Sequence, residues 1–439
     1  MKINKIILAV LLPFMLGSCE QWLDVAPDDQ VNEETLFATG DGYRNALNGV
    51  YRDMATSQMY GRELTWGFVD VMGWVYDPLT IYYDCSTHDY YDVLLGKYNA
   101  TGVKAITEAF WSQAYNSIAN CNNIIARIDG EEPSKFVGGE SERDMIHGEA
   151  IACRGFMHFE LLRYFAPSLK EAGNELYMPY FDKFPSLMES YLSVPDMIKK
   201  IEADLLKARE ILATTDLLEG MLYLLRTDLR YEGGASSGNA PSDIFFNYRG
   251  FRMNYTAVTA ALARLYFYAD RLEEAADMAT EVIDFVDENN NNVFTFTDKS
   301  NFSVNTKMYD DLIFALSQRK LTENFENYDE TEDSESHLGM DYDDWEEIVG
   351  EDAGDRRVSQ NGGLVRPLYN EYYVLTRKYY NASEMNEVNK RIIPVIRLSE
   401  MYYIRGEYYA SLGQYGQAVL ELENVRGARG CTIGRIGAS

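Results

Sequence analysis

The sequence is poor in most features that mark an enzyme centre. It has four histidines, at 88, 147, 158 and 337, with no HExxH pairing among them. Five cysteines in 439 residues form no CxxC pair, so neither a zinc module nor a dithiol redox site is indicated. Gly234-Ala235-Ser236-Ser237-Gly238 has the outline of a nucleophile elbow, but no helical run stands immediately behind it. His147 and Glu149 lack the later cysteine pair of a zinc deaminase. A glycosidase needs only two carboxylates, and 69 acidic residues supply many pairs without singling one out. No enzyme is expected. Basic residues are also scarce, 40 against those 69 acids, giving a net charge of −29. Such a surface repels nucleic acid and anionic headgroups, so no nucleic-acid partner is expected. Beyond residue 16 no apolar run reaches the roughly 18 residues that a membrane helix needs.

The first nineteen residues are informative. Lys2 and Lys5 precede an apolar stretch, Ile6 to Leu16, of signal-peptide length. Leu16-Gly17-Ser18-Cys19 then matches a lipobox, in which the Cys19 thiol receives diacylglycerol and becomes the first mature residue. Several acyl chains hold a protein at a membrane where one holds it weakly. Removing residues 1–18 takes two lysines and no acid, leaving the mature chain two charges more acidic. Residues 1–18 are therefore read as a signal peptide, 19–36 as a tether and 37–439 as one domain. Cys85, Cys121, Cys153 and Cys431 remain. An exported protein could pair them, but buried free thiols are the favoured reading.

Helical periodicity dominates the rest of the chain. Tyr43, Leu47, Val50 and Met54 lie on one face of a helix over 39–54. Further helices are predicted over 105–129, 144–165, 195–214 and 255–289, with a final pair in 394–430. The segments 60–98, 227–250 and 291–390 read as long, mostly irregular loops, which in a compact protein are usually functional. An internal repeat appears: Ala263, Tyr266 and Ala275 recur, 143 residues later, as Gly406, Tyr409 and Ala418. A small residue, an aromatic one turn on, then Ala opening a second helix is the tetratricopeptide pattern. The expected fold is all-α, with tetratricopeptide-like helix pairs as a scaffold for long irregular loops.

Four ordered blocks between residue 16 and about 430 resemble the SusD/RagB family of Bacteroidetes nutrient-uptake lipoproteins. They begin with the lipobox, Leu23-Asp24-x-x-Pro27, Phe37-x-Thr39 and the run Gly42 to Tyr51. Next come Trp111-x-x-Ala114-Tyr115, Ile118 and Asn122, then Glu149-Ala150 and Arg154-Gly155-Phe156. Asn254 to Val258 leading to Ala263-Arg264-Leu265-Tyr266 is the third. The fourth is Ile393 to Tyr402, ending near Asn424-Val425-Arg426. The resemblance implies a SusD-like lipoprotein, exposed on the bacterial outer membrane, that binds oligosaccharide and delivers it to a TonB-dependent barrel without catalysis. It also implies a shortened C-terminal portion, since the family usually continues well past Arg426-Gly427-Ala428-Arg429-Gly430. A peptide ligand, a lid with no soluble ligand and a surface glycoside hydrolase are the alternatives.

Sugar rings need flat apolar faces beside hydrogen-bonding groups. The stretch 66–98 interleaves nine aromatics with Asp and Asn, on loops where not every ring can be core. Trp74, Tyr76, Tyr82 and Tyr83 are the leading glycan-binding candidates, followed by Tyr90 and Tyr91. Tyr342 and Trp345, in an acidic loop, form a second group. Asp341, Asp343 and Asp344 beside them could ligate calcium, but the spacing lacks an EF-hand's glycine and terminal glutamate. A solvated charge run is the reading there, and no cofactor is expected.

Overall fold

Thr39 starts the first long helix, α1 (Gly40–Met54), by accepting the Gly42 amide at 3.3 Å from an extended backbone. Its predicted face is fully enclosed: Tyr43, Leu47, Val50 and Met54 have no exposed surface. The computed structural model describes residues 33–437, apart from 83–87, 187, 219, 234–240, 327–337, 350–351, 353, 358–364, 368–372 and 380–384. Cys19, the tether to residue 32, Tyr83, Cys85 and the Gly234–Gly238 run lie outside the described residues.

Among the described residues, seven further long helices succeed it: α2 (Thr101–Ile128), α3 (Gly139–Phe165), α4 (Val194–Asp216), α5 (Tyr255–Tyr268), α6 (Leu272–Ile283), α7 (Leu398–Ser411) and α8 (Tyr415–Ala428). Ser193 caps α4 ahead of Pro195, and the buried Asn254 caps α5 by accepting from Ala257 N at 2.9 Å. Each long helix packs on the next in chain order, from α1 through α8. That nearest-neighbour stacking is the mark of a helical solenoid and bears out the all-α, tetratricopeptide-like reading. The repeat lies in α5–α6 and α7–α8. A close approach lies elsewhere, between α3 and α4. A Cβ at Gly148 would sit 2.7 Å from Leu212 Cγ, and one at Gly155 would sit 3.0 Å from Asp204 Cβ. Gly148→Val is expected to cost about 2 kcal/mol by overpacking, read as a lower urea midpoint with an unchanged slope.

Two predicted boundaries need correction. The 255–289 helical stretch is a pair of helices that ends at Ile283. The final segment opens with a strand, β2 (Ile392–Arg397), antiparallel to β1 (Leu312–Ser317), which lies in a stretch read as irregular. The β-branched run Ile392-Ile393-Pro394-Val395-Ile396 favours strand, and Pro394 sits where the register shifts, next to a bulge. Residues Leu312 to Leu316 are buried, so their apolar run has no alternation to betray it. Segment 60–98 contains the short helices Phe68–Met72, Pro78–Tyr82 and His88–Leu94.

Buried ion pairs brace the stack. Arg154 on α3 forms a bidentate pair with Asp204 on α4, at 2.7 and 2.6 Å, and also donates to Asn122 on α2. Arg264 on α5 grips Glu400 on α7 through two 2.6 Å bonds. Glu149, fully buried on α3, accepts from Arg249 (2.5 Å), Arg252 (2.7 Å) and the Tyr51 hydroxyl (2.7 Å). Burial alone would raise the Glu149 carboxyl, but the two guanidinium groups and Tyr51 hold it below its ordinary value. Arg249 also pairs with Asp216, whose carboxyl burial keeps above its ordinary value. Tyr51, Asn122, Glu149, Arg154, Asn254 and Arg264, all in the family-like blocks, are thus scaffold residues. Cys121, Cys153 and Cys431 are buried free thiols, as expected.

Candidate functional site

Segment 60–98 is pinned from beneath by Glu63, which is 3% exposed. Its carboxylate accepts from Phe68 N at 3.1 Å, the Tyr90 hydroxyl at 2.9 Å and Arg62 Nε at 2.7 Å. Gly67 leaves room for this, since a Cβ there would lie 2.7 Å from the Tyr90 hydroxyl. The Tyr76 hydroxyl donates to the Trp66 carbonyl at 2.8 Å, and the Trp66 ring packs edge-on to Phe325. These bonds turn a loop of mixed polarity into a rigid platform.

Trp74 stands on that platform. It follows Gly73 at the end of helix Phe68–Met72, adopts a left-handed backbone with φ of 56° and leaves 64% of its surface exposed. A bulky residue in that conformation is strained, and an indole left in water is not contributing to the core. Met72 and Val75 are exposed beside it in the sequence, Leu95 and Tyr98 are exposed at the end of the segment, and Met72 and Tyr98 both line an apolar cleft of about 320 Å³ with Phe68, Phe110 and Phe165. Asp77 N donates to Gly339 O at 2.8 Å, and Thr80 Oγ1 donates to the same carbonyl at 3.3 Å. This stitch joins the Trp74 segment to the second candidate segment, whose Tyr342 and Trp345 rings stand 5.8 Å apart, half-buried, on helix Tyr342–Val349.

Other candidates are placed differently. Tyr76 and Tyr90 are each 4% exposed, with hydroxyls committed inside the fold, so they support the platform and present no ring face outward. That corrects the expectation that they contact ligand. Tyr91 is half-buried against the core. Tyr82 ends helix Pro78–Tyr82, and its side chain, like Tyr83, lies outside the described residues. Asp341 caps the Tyr342 helix, accepting from Asp343 N at 2.9 Å and Asp344 N at 3.2 Å. Among the described residues no three acidic, histidine or cysteine side chains gather as a metal site.

Asp70, one of the interleaved acids but not singled out by the sequence, lies on helix Phe68–Met72. Burial pushes its carboxyl up to about 6, against the pull of Lys378 and of the Tyr76 hydroxyl at 3.4 Å. The folded chain therefore holds a proton that the unfolded chain has released, from the ordinary carboxylate value up to about 6. This residue lowers stability as pH rises through that window. Asp70→Asn is expected to exceed the parent in stability at neutral pH, with the gap shrinking below about 6. Urea midpoints across that range check it.

The comparisons with known proteins agree with this architecture. Residues 21–219 match the SusD-like family described as "Starch-binding associating with outer membrane". A SusD-like protein of Formosa agariphila is 26% identical over 132 residues, 30% of this chain and 25% of that protein. The match thus spans a quarter of that relative's length. Among solved structures, a SusD superfamily protein of Bacteroides thetaiotaomicron superposes with a TM-score of 0.62 at 20% identity, covering 91% of this chain and 83% of that one. A surface glycan-binding protein A from Bacteroides uniformis gives 0.59 at 15% identity, covering 90% and 81%. The fold and platform define a helical-repeat scaffold carrying an aromatic loop face. Residues 21–219 are similar in sequence to the SusD-like family, and nine-tenths of the chain is similar in fold to a SusD superfamily structure. No helix among the described residues is long and apolar enough to cross a membrane.

Proposed function

We propose that the protein captures an oligosaccharide at the outer membrane and passes it, without chemistry, to a TonB-dependent barrel. The observation that carries the capture step is the Trp74 indole, held in a strained backbone on a braced platform with its face in water. A pyranose ring offers a flat C–H face that such a surface desolvates. Tyr98, in the cleft that Met72 also lines, and the Tyr342–Trp345 pair supply further rings. The family's description supports both the ligand class and the membrane, and the Cys19 lipobox supports the anchor. Delivery to a barrel rests on the family resemblance.

Native affinity electrophoresis of the folded protein against plant, host and microbial polysaccharides tests capture. Retardation by one polymer is the expected result, with a dissociation constant between about micromolar and millimolar, roughly −8 to −4 kcal/mol. No retardation by any polymer would overturn the glycan reading in favour of a peptide ligand or a lid.

A further inference from the structure

A second cleft, of about 690 Å³, opens where α1 meets the 244–252 segment and the end of β1. That is within the range of small-molecule sites, and none of the aromatic candidates lines it. At its wall the Arg252 guanidinium lies between the Tyr51 and Phe245 rings, at 5.2 and 4.8 Å from their centroids. Its Nε donates to Glu149 and its Nη1 to Asn48 Oδ1 at 3.1 Å. Its Nη2 is buried and has no hydrogen-bond partner among the described residues. The Asn247 Oδ1, equally buried, has none either. Arg252 and Asn247 are each only 9% exposed, and both line the cleft. Between them in sequence, Tyr248 is held left-handed, at φ 58° and ψ 36°, with its ring tip pressed to Gly233.

Leaving a buried donor and a buried acceptor unmade costs stability, so the pair is informative about what the cleft takes. A carboxylate would satisfy the guanidinium and leave the Asn247 oxygen facing another acceptor, with Asp41 also on the wall. An ammonium would satisfy Asn247 and confront Arg252. A hydroxyl both donates and accepts, and neighbouring hydroxyls on one ring can answer both groups together. We propose that this cleft is a second carbohydrate site, taking a neutral sugar ring through the Arg252 Nη2 donor and the Asn247 Oδ1 acceptor. It is independent of the Trp74 platform and stands or falls separately from it.

Saturation-transfer NMR on the purified protein, with glucose, galactose, mannose, xylose and arabinose as probes and galacturonate as the charged comparator, tests this. At least one neutral sugar is expected to give transfer that persists in Trp74→Ala and falls at least fivefold in Asn247→Ala. Because Asn247 Oδ1 has no internal partner, Asn247→Ala is expected to keep the parent's urea midpoint, which separates lost binding from lost folding. Tyr248→Gly, which relieves the left-handed strain while removing the ring, is expected to weaken transfer without lowering that midpoint. Transfer that disappears in Trp74→Ala, transfer from galacturonate alone, or none from any neutral sugar would each overturn the second site.

Discussion

Glu149→Ala is expected to be the most damaging single substitution in the scaffold, lowering stability by about 3–5 kcal/mol. The reason is what it leaves behind. Glu149 is fully buried and neutralises Arg252 while sharing Arg249 with Asp216. Without it Arg249 keeps a partner, but Arg252 keeps only the neutral Asn48 oxygen and a charge that burial penalises. The Tyr51 hydroxyl, which also accepts from Met253 N at 2.8 Å, loses the acceptor that orients it. Typical domains have only about 5–15 kcal/mol in hand, so the variant should populate unfolded chain under mild conditions. Urea unfolding by circular dichroism measures the loss. Glu149→Gln, which keeps shape and hydrogen bonds but removes the charge, should fall between parent and Glu149→Ala. A loss below about 1 kcal/mol in Glu149→Ala would mean that water entering the neighbouring cleft solvates Arg252, and that the brace is dispensable.

This brace also shows what was legible in the sequence. Apolar periodicity placed the long helices, because a helix face buried along one stripe writes its period into the residues. The α5–α6 and α7–α8 repeat was legible because Ala263, Tyr266 and Ala275 recur at fixed spacing. The Arg–Glu pairs were not, since Glu149 and Arg252 are 103 residues apart and an acid on a helix reads as surface. The strand β1 was hidden because burial on both faces erases alternation. At the site, aromatic density pointed to the right segment but could not sort Trp74 from Tyr76. The difference is a backbone reversal at Gly73–Trp74 that turns one ring out and the next inward, and such a reversal has no periodic signature. The polar cleft went unread because Arg252 and Asn247 gain meaning only from what fails to meet them.

Trp74→Ala is expected to weaken polysaccharide retardation about thirtyfold or more while leaving the fold untouched. Large aromatics at the centre of a recognition surface cost about 2 kcal/mol or more when truncated, roughly a thirtyfold loss of affinity. For a ligand bound near the millimolar end of the range that removes detectable retardation, and for a tighter one it leaves retardation about thirtyfold weaker. The stability change should stay within about 0.5 kcal/mol, because an exposed side chain forfeits little packing. Tyr76→Phe gives the contrast. It keeps the buried ring but removes the bond to the Trp66 carbonyl, costing about 1 kcal/mol of stability and leaving the indole's own contacts available. If the platform reading is right, Trp74→Ala separates binding from stability and Tyr76→Phe moves stability with little effect on binding. Equal loss of binding in both variants would instead mean that the loop's rigidity, and no single ring, determines capture. Full retention in Trp74→Ala would move the site to Tyr342 and Trp345, across the Asp77–Gly339 hydrogen bond, where the same electrophoretic assay on Trp345→Ala would locate it.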